Sequence, residues 1–270
     1  MNEMKDKAAP LPFSWRKDSL EAREILRQVH RASLDFAMIE PGDRILVACS
    51  GGKDSYALAW VMERIRREMP FEFEIVALNI DMGFGGGFRQ DVVGEYLKAQ
   101  DLRVELVTEN AGEVCAAKLK PEENPCWMCA RLRRGILYTQ AKRLGCNKLA
   151  LGHHADDLIE TLLMNEFFTG QIKAMPPRLK SDDGELIVIR PLAYVFEATL
   201  IAFARQMRFP VVGCNCPHGC QLMVSERHEI KKLLNQLSVR LPNMKTNLLA
   251  SLTRVRPSHL MDKKLYDFKK

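Results

Sequence analysis

The chain lacks any apolar run approaching the ~18 residues a membrane-spanning helix requires; stretches such as Ile45-Leu46-Val47-Ala48-Cys49 fall far short of it. Its first residues do not resemble a secretory signal, because Lys5, Asp6, Lys7, Pro10 and Pro12 interrupt any apolar core between Met1 and Trp15. A cytoplasmic location with no membrane association is the expectation. Internal repeats and low-complexity linkers are absent too. A large excess of one charge sign is also missing: a formal net charge of +6 over 270 residues is compatible with a polyanionic partner but does not by itself indicate RNA. What is present is enough apolar material to fold. With 47% hydrophobic residues, a chain of this length buries roughly three quarters of its unfolded surface, as one large domain or one domain with an appendage.

Apolar periodicity alternates between strand and helix along most of the chain. Asp18-Ser19-Leu20 opens a helical pattern running to about Ile39 and closed by the turn Glu40-Pro41-Gly42-Asp43. Ile45 to Cys49 reads as a buried strand, Ser50 to Ser55 as a loop, and Tyr56 to Glu68 as an amphipathic helix ended by Pro70. The alternation continues with strand Glu74 to Asp81, helix Asp91 to Gln100, strand Arg103 to Thr108, helix Cys129 to Leu144, strand Lys148 to Gly152 and helix Asp156 to Phe168. Ile187 to Leu192, helix Glu197 to Met207 and the run Phe209 to Gly213 extend it, and the chain from Ser225 onward reads as helical. Such alternation predicts an α/β fold with a doubly wound, mostly parallel sheet and a helical C-terminal extension. The expected divisions are an N-terminal helical segment at 1–40, a nucleotide-binding α/β domain at 41–213, and a cysteine-bearing helical region at 214–270.

Ser50-Gly51-Gly52-Lys53-Asp54-Ser55 falls between the first strand and its helix, at the carboxyl edge of the sheet, where open α/β folds place ligands. Two glycines let backbone N–H groups approach an anion. The helix N-terminus adds partial positive charge, and Lys53 with the two serines can contact phosphate oxygens. The segment is not a Walker A loop, which needs glycine where Val47 stands and Ser or Thr where Asp54 stands. A Gly-Gly turn capped by serine and aspartate is the bland alternative, set against six residues in strand-loop-helix context. Asp81 at the end of the second strand, and Gly152 and His153 after a later one, are further candidate nucleotide contacts. Gly83-Phe84-Gly85-Gly86-Gly87, at the same sheet edge, is either a substrate-side loop or a flexible connection, and its failure to satisfy GxGxxG favours the connection.

The sequence has eight cysteines, and five of them cluster. Cys126-Trp127-Met128-Cys129 is a CxxC at the start of a helix, and Cys214-Asn215-Cys216-Pro217-His218-Gly219-Cys220 forms a second group. A CxxC at a helix N-terminus lowers thiol pKa and aims two thiolates at one ion, which suits zinc, an iron–sulfur cluster or a redox disulfide equally. Cys49, Cys115 and Cys146 stand singly and read as ordinary buried thiols.

At Ser50 to Ser55 the sequence resembles the PP-loop ATP pyrophosphatases, whose SGGKDS signature it matches residue for residue. That resemblance implies cleavage of ATP between its α and β phosphates and adenylation of a substrate oxygen. The segment Cys126 to Leu137 resembles the cysteine motif of the tRNA 2-thiocytidine synthetases. Gly152-His153-His154-Ala155-Asp156-Asp157, Met175-Pro176-Pro177, Ile189-Arg190-Pro191-Leu192, Pro257-Ser258-His259-Leu260 and Leu265-Tyr266-Asp267-Phe268 extend the resemblance to the C-terminus. The family implies ATP, Mg²⁺ and a 4Fe–4S cluster held by three cysteines, with the fourth iron open to carry sulfur. By position these are Cys126, Cys129 and Cys214. Cys216 and Cys220 stay open as the third ligand, because Cys214-x-Cys216-x-x-x-Cys220 stands where the family commonly has CxxC.

Arg131, Arg133 and Arg134 follow the CxxC directly, and Arg133 lies one turn from Cys129. They are either solvated helix charges or contacts to phosphate or base, and resemblance to related thiolases favours Arg133. Asp156 and Asp157 could bind Mg²⁺ or move a proton, or serve as helix N-caps. Asp54, Arg133, Asp156 and Asp157 are therefore the candidate catalytic residues. Lys231, Lys232, Arg240, Lys245 and Arg254 read as solvated charges or RNA-backbone contacts. The resemblance implies conversion of an anticodon-loop cytidine to 2-thiocytidine. Its partners would be tRNA and a persulfide donor such as a cysteine desulfurase, with a homodimer left open. Two other readings stay open: a PP-loop sulfurtransferase or amide-forming enzyme acting on another base or small molecule with zinc, and a non-catalytic redox or RNA-binding protein.

Overall fold

The structure, a computed structural model, describes residues 10–13, 19–84, 87–118, 126–213 and 226–269. Cys214, Cys216 and Cys220, and the side chain at position 126, lie outside the described residues.

Six strands form one sheet: β1 (Arg44–Ala48), β2 (Glu74–Asp81), β3 (Val104–Thr108), β4 (Lys148–Ala150), β5 (Arg178–Lys180) and β6 (Ile187–Ile189). Their order is β3-β2-β1-β4-β6-β5, and every neighbouring pair is parallel except β5 with β6. The helices are α1 (Leu20–Asp35), α2 (Lys53–Glu68), α3 (Gln90–Lys98), α4 (Ala111–Lys118), α5 (Cys126–Arg143), α6 (Ala155–Thr169), α7 (Glu197–Met207), α8 (Glu226–Arg240) and α9 (Met244–Ser251). Contacts sort the chain into two compact units. One is the sheet with α1 to α5 and α7; the other is α6 with α8 and α9.

In the sheet unit, strand side chains alternate with period two between two cores, as a sheet buried on both faces requires. Ile45, Val47, Ala77 and Ile189 join one core with Ile25 of α1, Leu58 of α2, Val93 of α3 and Phe203 of α7. Leu46, Val76, Leu149 and Val188 join the other with Leu137 and Ala141 of α5. Ser19 caps α1 by accepting the Ala22 N–H at 3.1 Å, so the helix begins where its sequence signal lies.

The strand expected over Ile187 to Leu192 stops at Ile189. Pro191 cannot donate to a ladder and instead opens a 3₁₀ turn, Pro191–Tyr194. The run Phe209 to Gly213 forms no strand; its carbonyls and amides are used singly, with Tyr56 Oη donating to the Pro210 carbonyl at 3.2 Å. The edge strand β5 and helix α4 were not expected. Arg178-Leu179-Lys180 is too short and too exposed to show a period, and α4 has no apolar stripe to read.

At the amino edge of the sheet, Lys148 opens β4 with only 1% of its side chain exposed. Its ammonium lies 2.6 Å from Asp43 Oδ2 and 2.7 Å from Glu40 Oε2, while Asn147 Nδ2 donates to Asp43 Oδ1 at 2.8 Å. This network fixes the start of β4 beside β1, where Ile45 pairs with Lys148. Removing one partner of a buried pair strands the other charge. Asp43→Ala should therefore cost about 3–5 kcal/mol in urea unfolding, and Glu40→Ala, at a half-exposed carboxylate, no more than about 1 kcal/mol.

Candidate active site

Strand order reverses between β1 and β4, and open α/β sheets bind ligands outside the carboxyl ends of strands at such a reversal. The segments leaving those two strands are Cys49 to Gly52 and Leu151 to His154. Gly51 adopts φ +84°, a left-handed conformation that side chains resist, and a Cβ there would sit 3.0 Å from Val93 Cγ2. Its carbonyl accepts the Val212 N–H at 3.0 Å. Gly52 is the N-cap of α2 and provides no side-chain cap, so the first-turn N–H groups lack an intrahelical acceptor. Lys53, Asp54 and Ser55, expected in the loop, form the first turn of that helix instead, because nothing in their sequence breaks it. Ser55 Oγ closes the turn by donating to the Gly52 carbonyl at 2.9 Å, and Ser50 is exposed. Gly152 packs on this turn: a Cβ at 152 would lie 3.4 Å from the Asp54 carbonyl. His153 is half-buried and His154 buried.

The charges at the loop are balanced internally. Lys53 Nζ lies 2.9 Å from Asp54 Oδ2 and 3.2 Å from Oε1 of Glu197, the first residue of α7. Burial works to depress the lysine pKa, but the two carboxylates outweigh it and hold the ammonium above its ordinary value. Asp54 Oδ1 is buried with no hydrogen-bond partner among the described residues. An oxygen of that kind beside open helix N–H groups fits Mg²⁺ and phosphate. Asn79 of β2, fully buried, donates to the Cys49 carbonyl at 2.6 Å and braces the end of β1. Sequence reading missed Glu197 and Asn79. An amide inside the apolar run Glu74 to Asp81 was the one signal available for Asn79; Glu197 had none. Asp81 stands at the carboxyl end of β2, where its Oδ1 accepts the Gly83 N–H at 3.0 Å. Gly83 is not part of a loose connection as expected: at φ +69° it packs so closely that a Cβ would overlap the Glu109 carbonyl oxygen.

Helix α5 begins at Cys126, one turn earlier than the sequence suggested, so positions 126 and 129 both fall in its first turn. Cys129 is half-buried, whereas Cys49, Cys115 and Cys146 are buried. Burial pushes the Cys49 thiol up to about 12 and raises Cys146 as well, which makes both poor thiolates. Two cysteine positions one helical turn apart, one of them reachable from solvent, fit part of a thiolate set for a metal cluster. The remaining candidate ligands, Cys214, Cys216 and Cys220, lie outside the described residues. Arg131, Arg133 and Arg134 are exposed on α5 and make no ion pair among the described residues.

In the second unit, α6 starts at Ala155, which puts Asp156 and Asp157 inside its first turn rather than at the N-cap. Both are matched by cations: Lys245 Nζ lies 2.8 Å from Asp156 Oδ1, and an Arg227 nitrogen 3.1 Å from Asp157 Oδ1. Lys245 is thus committed within this unit, and Arg227 is a partner the sequence did not flag. Glu160, one turn further along α6, is buried and 3.5 Å from Arg227. Burial pushes its carboxyl up to about 7, with Arg227 opposing and Asp157 adding to the rise.

Between the ordinary value of 4.5 and about 7 the folded protein keeps a Glu160 proton that the unfolded chain releases. Its contribution to stability is therefore complete below that window and is lost as pH rises through about 7. Glu160→Gln should flatten this part of the profile of urea midpoint against pH.

Residues 22–212 match the family model of the PP-loop domain. The tRNA-cytidine(32) 2-sulfurtransferase of Geobacter sulfurreducens is 49% identical over 92% of this chain and 96% of its own length. The enzyme of that name from Deinococcus radiodurans is 48% identical over 90% of this chain and 81% of its own. Among solved structures, the U34-tRNA thiolase NcsA from Methanococcus maripaludis, determined with its 4Fe–4S cluster, shares the fold. Its TM-score is 0.71 at 22% identity, covering 93% of this chain and 88% of that one. The chain belongs to the PP-loop proteins and, within them, to the tRNA-cytidine(32) 2-sulfurtransferase family.

Proposed function

We propose that the protein uses ATP to replace the 2-oxygen of an anticodon-loop cytidine in tRNA with sulfur, giving 2-thiocytidine, AMP and pyrophosphate. The observation that carries this reading is the intact Ser50 to Ser55 loop at the sheet's reversal point, in a chain whose relatives named for that reaction match it nearly end to end. The open N–H groups of α2 and the Lys53 ammonium would hold the β and γ phosphates. Asp54 Oδ1 would take Mg²⁺. Attack of the cytidine O2 on the α-phosphorus releases pyrophosphate and leaves AMP on that oxygen. Sulfide then adds at C2, AMP departs with the oxygen, and no net redox change occurs at the base.

A 4Fe–4S cluster, when bound, supplies an iron position that carries the incoming sulfur. Cys126 and Cys129 are its proposed ligands from α5, with Cys214 or Cys216 as the third. Arg133, one turn from Cys129, would meet the RNA backbone or the base. A persulfide donor such as a cysteine desulfurase, with a thiol reductant providing two electrons, would renew the sulfide. Asp81, Gly152 and His153 are the proposed further nucleotide contacts, Asp156 and Asp157 are proposed for Mg²⁺ binding or proton transfer, and the expected location is the cytoplasm.

Lys53→Ala should lower 2-thiocytidine formation by ~10²-fold or more, the loss expected when one positioned charge donor is removed. Gly51→Ala should weaken ATP binding at least as severely as any side-chain change in the loop. Cys129→Ala should lose bound iron and thiolation while ATP binding survives. The assay is nucleoside mass spectrometry of tRNA incubated with reconstituted protein, ATP, Mg²⁺ and sulfide. Thiolation undiminished in Cys129→Ala would sink the cysteine-site reading; AMP release without any altered nucleoside would sink the substrate reading.

A further inference from the structure

The chain beyond α9 is not used by the chemistry above. From 253 to 269 every residue is exposed except Leu260, which is half-buried. The segment is held in shape by its own turns. Pro257–His259 forms a 3₁₀ turn, and the Leu265 and Tyr266 amides both donate to the Asp262 carbonyl, at 3.1 and 3.2 Å.

Two properties set it apart from an ordinary solvated end. The first is charge. Residues 252–269 carry Arg254, Arg256, Lys263, Lys264 and Lys269 against Asp262 and Asp267, a net +3 that is half of the chain's +6. None of the five cations makes an ion pair among the described residues. The two carboxylates are instead turned inward onto backbone: Asp262 Oδ1 accepts the Lys264 N–H at 2.8 Å and Asp267 Oδ1 the Lys269 N–H at 3.0 Å. The second property is apolar surface left in water. Met261 is 95% exposed, Phe268 53% and Tyr266 43%, and the two rings meet edge to face with centroids 5.0 Å apart.

Unpaired cations interleaved with exposed rings fit a flexible polyanion that offers flat apolar faces. A single-stranded nucleic acid has both features, since phosphates follow the cations and unpaired bases stack on the rings. A duplex keeps its base faces covered, and a second copy of this segment would bring like charge against like.

We propose that residues 252–269 form a strap that grips a single-stranded stretch of the substrate RNA, with Tyr266 and Phe268 as the stacking platform and the five cations on the backbone phosphates. The proposal rests on the reading that the substrate is tRNA. It makes this segment an element of substrate capture rather than of catalysis.

The test measures binding of the full-length protein to a tRNA transcript, to a single-stranded oligonucleotide of the anticodon-loop sequence, and to an RNA duplex of equal charge, over a salt series. Tyr266→Ala/Phe268→Ala should weaken oligonucleotide binding about ten-fold or more while leaving the salt slope unchanged. Tyr266→Phe/Phe268→Tyr should restore it. Lys263→Gln/Lys264→Gln should make the slope of log K against log salt shallower by about 1.4. ATP binding should be the same in all variants, which excludes misfolding as the cause. If wild-type protein binds tRNA and both sets of variants bind it within two-fold, the strap is wrong. A shift in oligomeric state with unchanged RNA binding would overturn it in favour of a second copy. Wild-type protein that binds none of the three RNAs would remove the substrate reading itself.

Discussion

A strand can run straight into a helix only if the chain reverses sharply between them, and here the reversal is made by one backbone angle at Gly51. The geometry of the Ser50 to Ser55 segment depends on it. The left-handed turn sends α2 away from the end of β1 with its first N–H groups uncapped. It also aims the Gly51 carbonyl at the Val212 amide, so the loop is held from outside as well as from within. Beneath it, Tyr56, Tyr96, Phe203 and Phe209 pack ring against ring, with Tyr56 and Phe209 centroids 5.4 Å apart. Aromatic packing of this density leaves the turn little freedom to relax. The anion-binding geometry is therefore a property of the folded sheet unit before any ligand arrives.

Much of this was legible in the sequence because it rests on local rules. Alternating periods gave the order of strands and helices, Ser19 marked a helix start, and six consecutive residues marked the loop. What stayed hidden depends on contacts between residues far apart in the chain. Glu197 reaches Lys53 across 144 positions, and Arg227 reaches Asp157 across 70; neither residue looks unusual among its neighbours. Helix α4 and strand β5 escaped for a different reason: eight residues without an apolar face and three exposed residues carry no period to detect. The grouping of α6 with α8 and α9 was equally invisible, since α6 follows β4 directly and reads as one more turn of the alternation.

The single cysteines and the CxxC show how burial sorts one residue type into two chemistries. Cys49 lies two residues before Gly51, beside the candidate nucleotide loop in sequence, yet burial keeps its thiol protonated far above neutral pH. It serves as packing, and its carbonyl receives Asn79. Cys129 sits in the first turn of a helix and is only half-buried, with three exposed arginines following it. Surroundings, not proximity to the loop in sequence, separate the reachable cysteine from the buried one.

Charge balance at the loop limits what the nucleotide must bring with it. Lys53, Asp54 and Glu197 together carry one net negative charge, with the ammonium within 3.2 Å of both carboxylates. A bare polyphosphate entering here would gain the α2 N–H groups but would meet two carboxylates already satisfied by the only cation among the three. Repulsion between such groups at a few ångströms, in a partly buried site of intermediate dielectric, is on the order of several kcal/mol, more than the partial charge of a helix N-terminus returns. A divalent cation accompanying the phosphates reverses the sign of that local sum and finds Asp54 Oδ1 without a partner. With Asp54 engaged by that cation, Lys53 would still be tethered by Glu197 at 3.2 Å. Asp54 and Glu197 thus fix the local charge that an incoming polyphosphate meets, and a divalent cation would offset it.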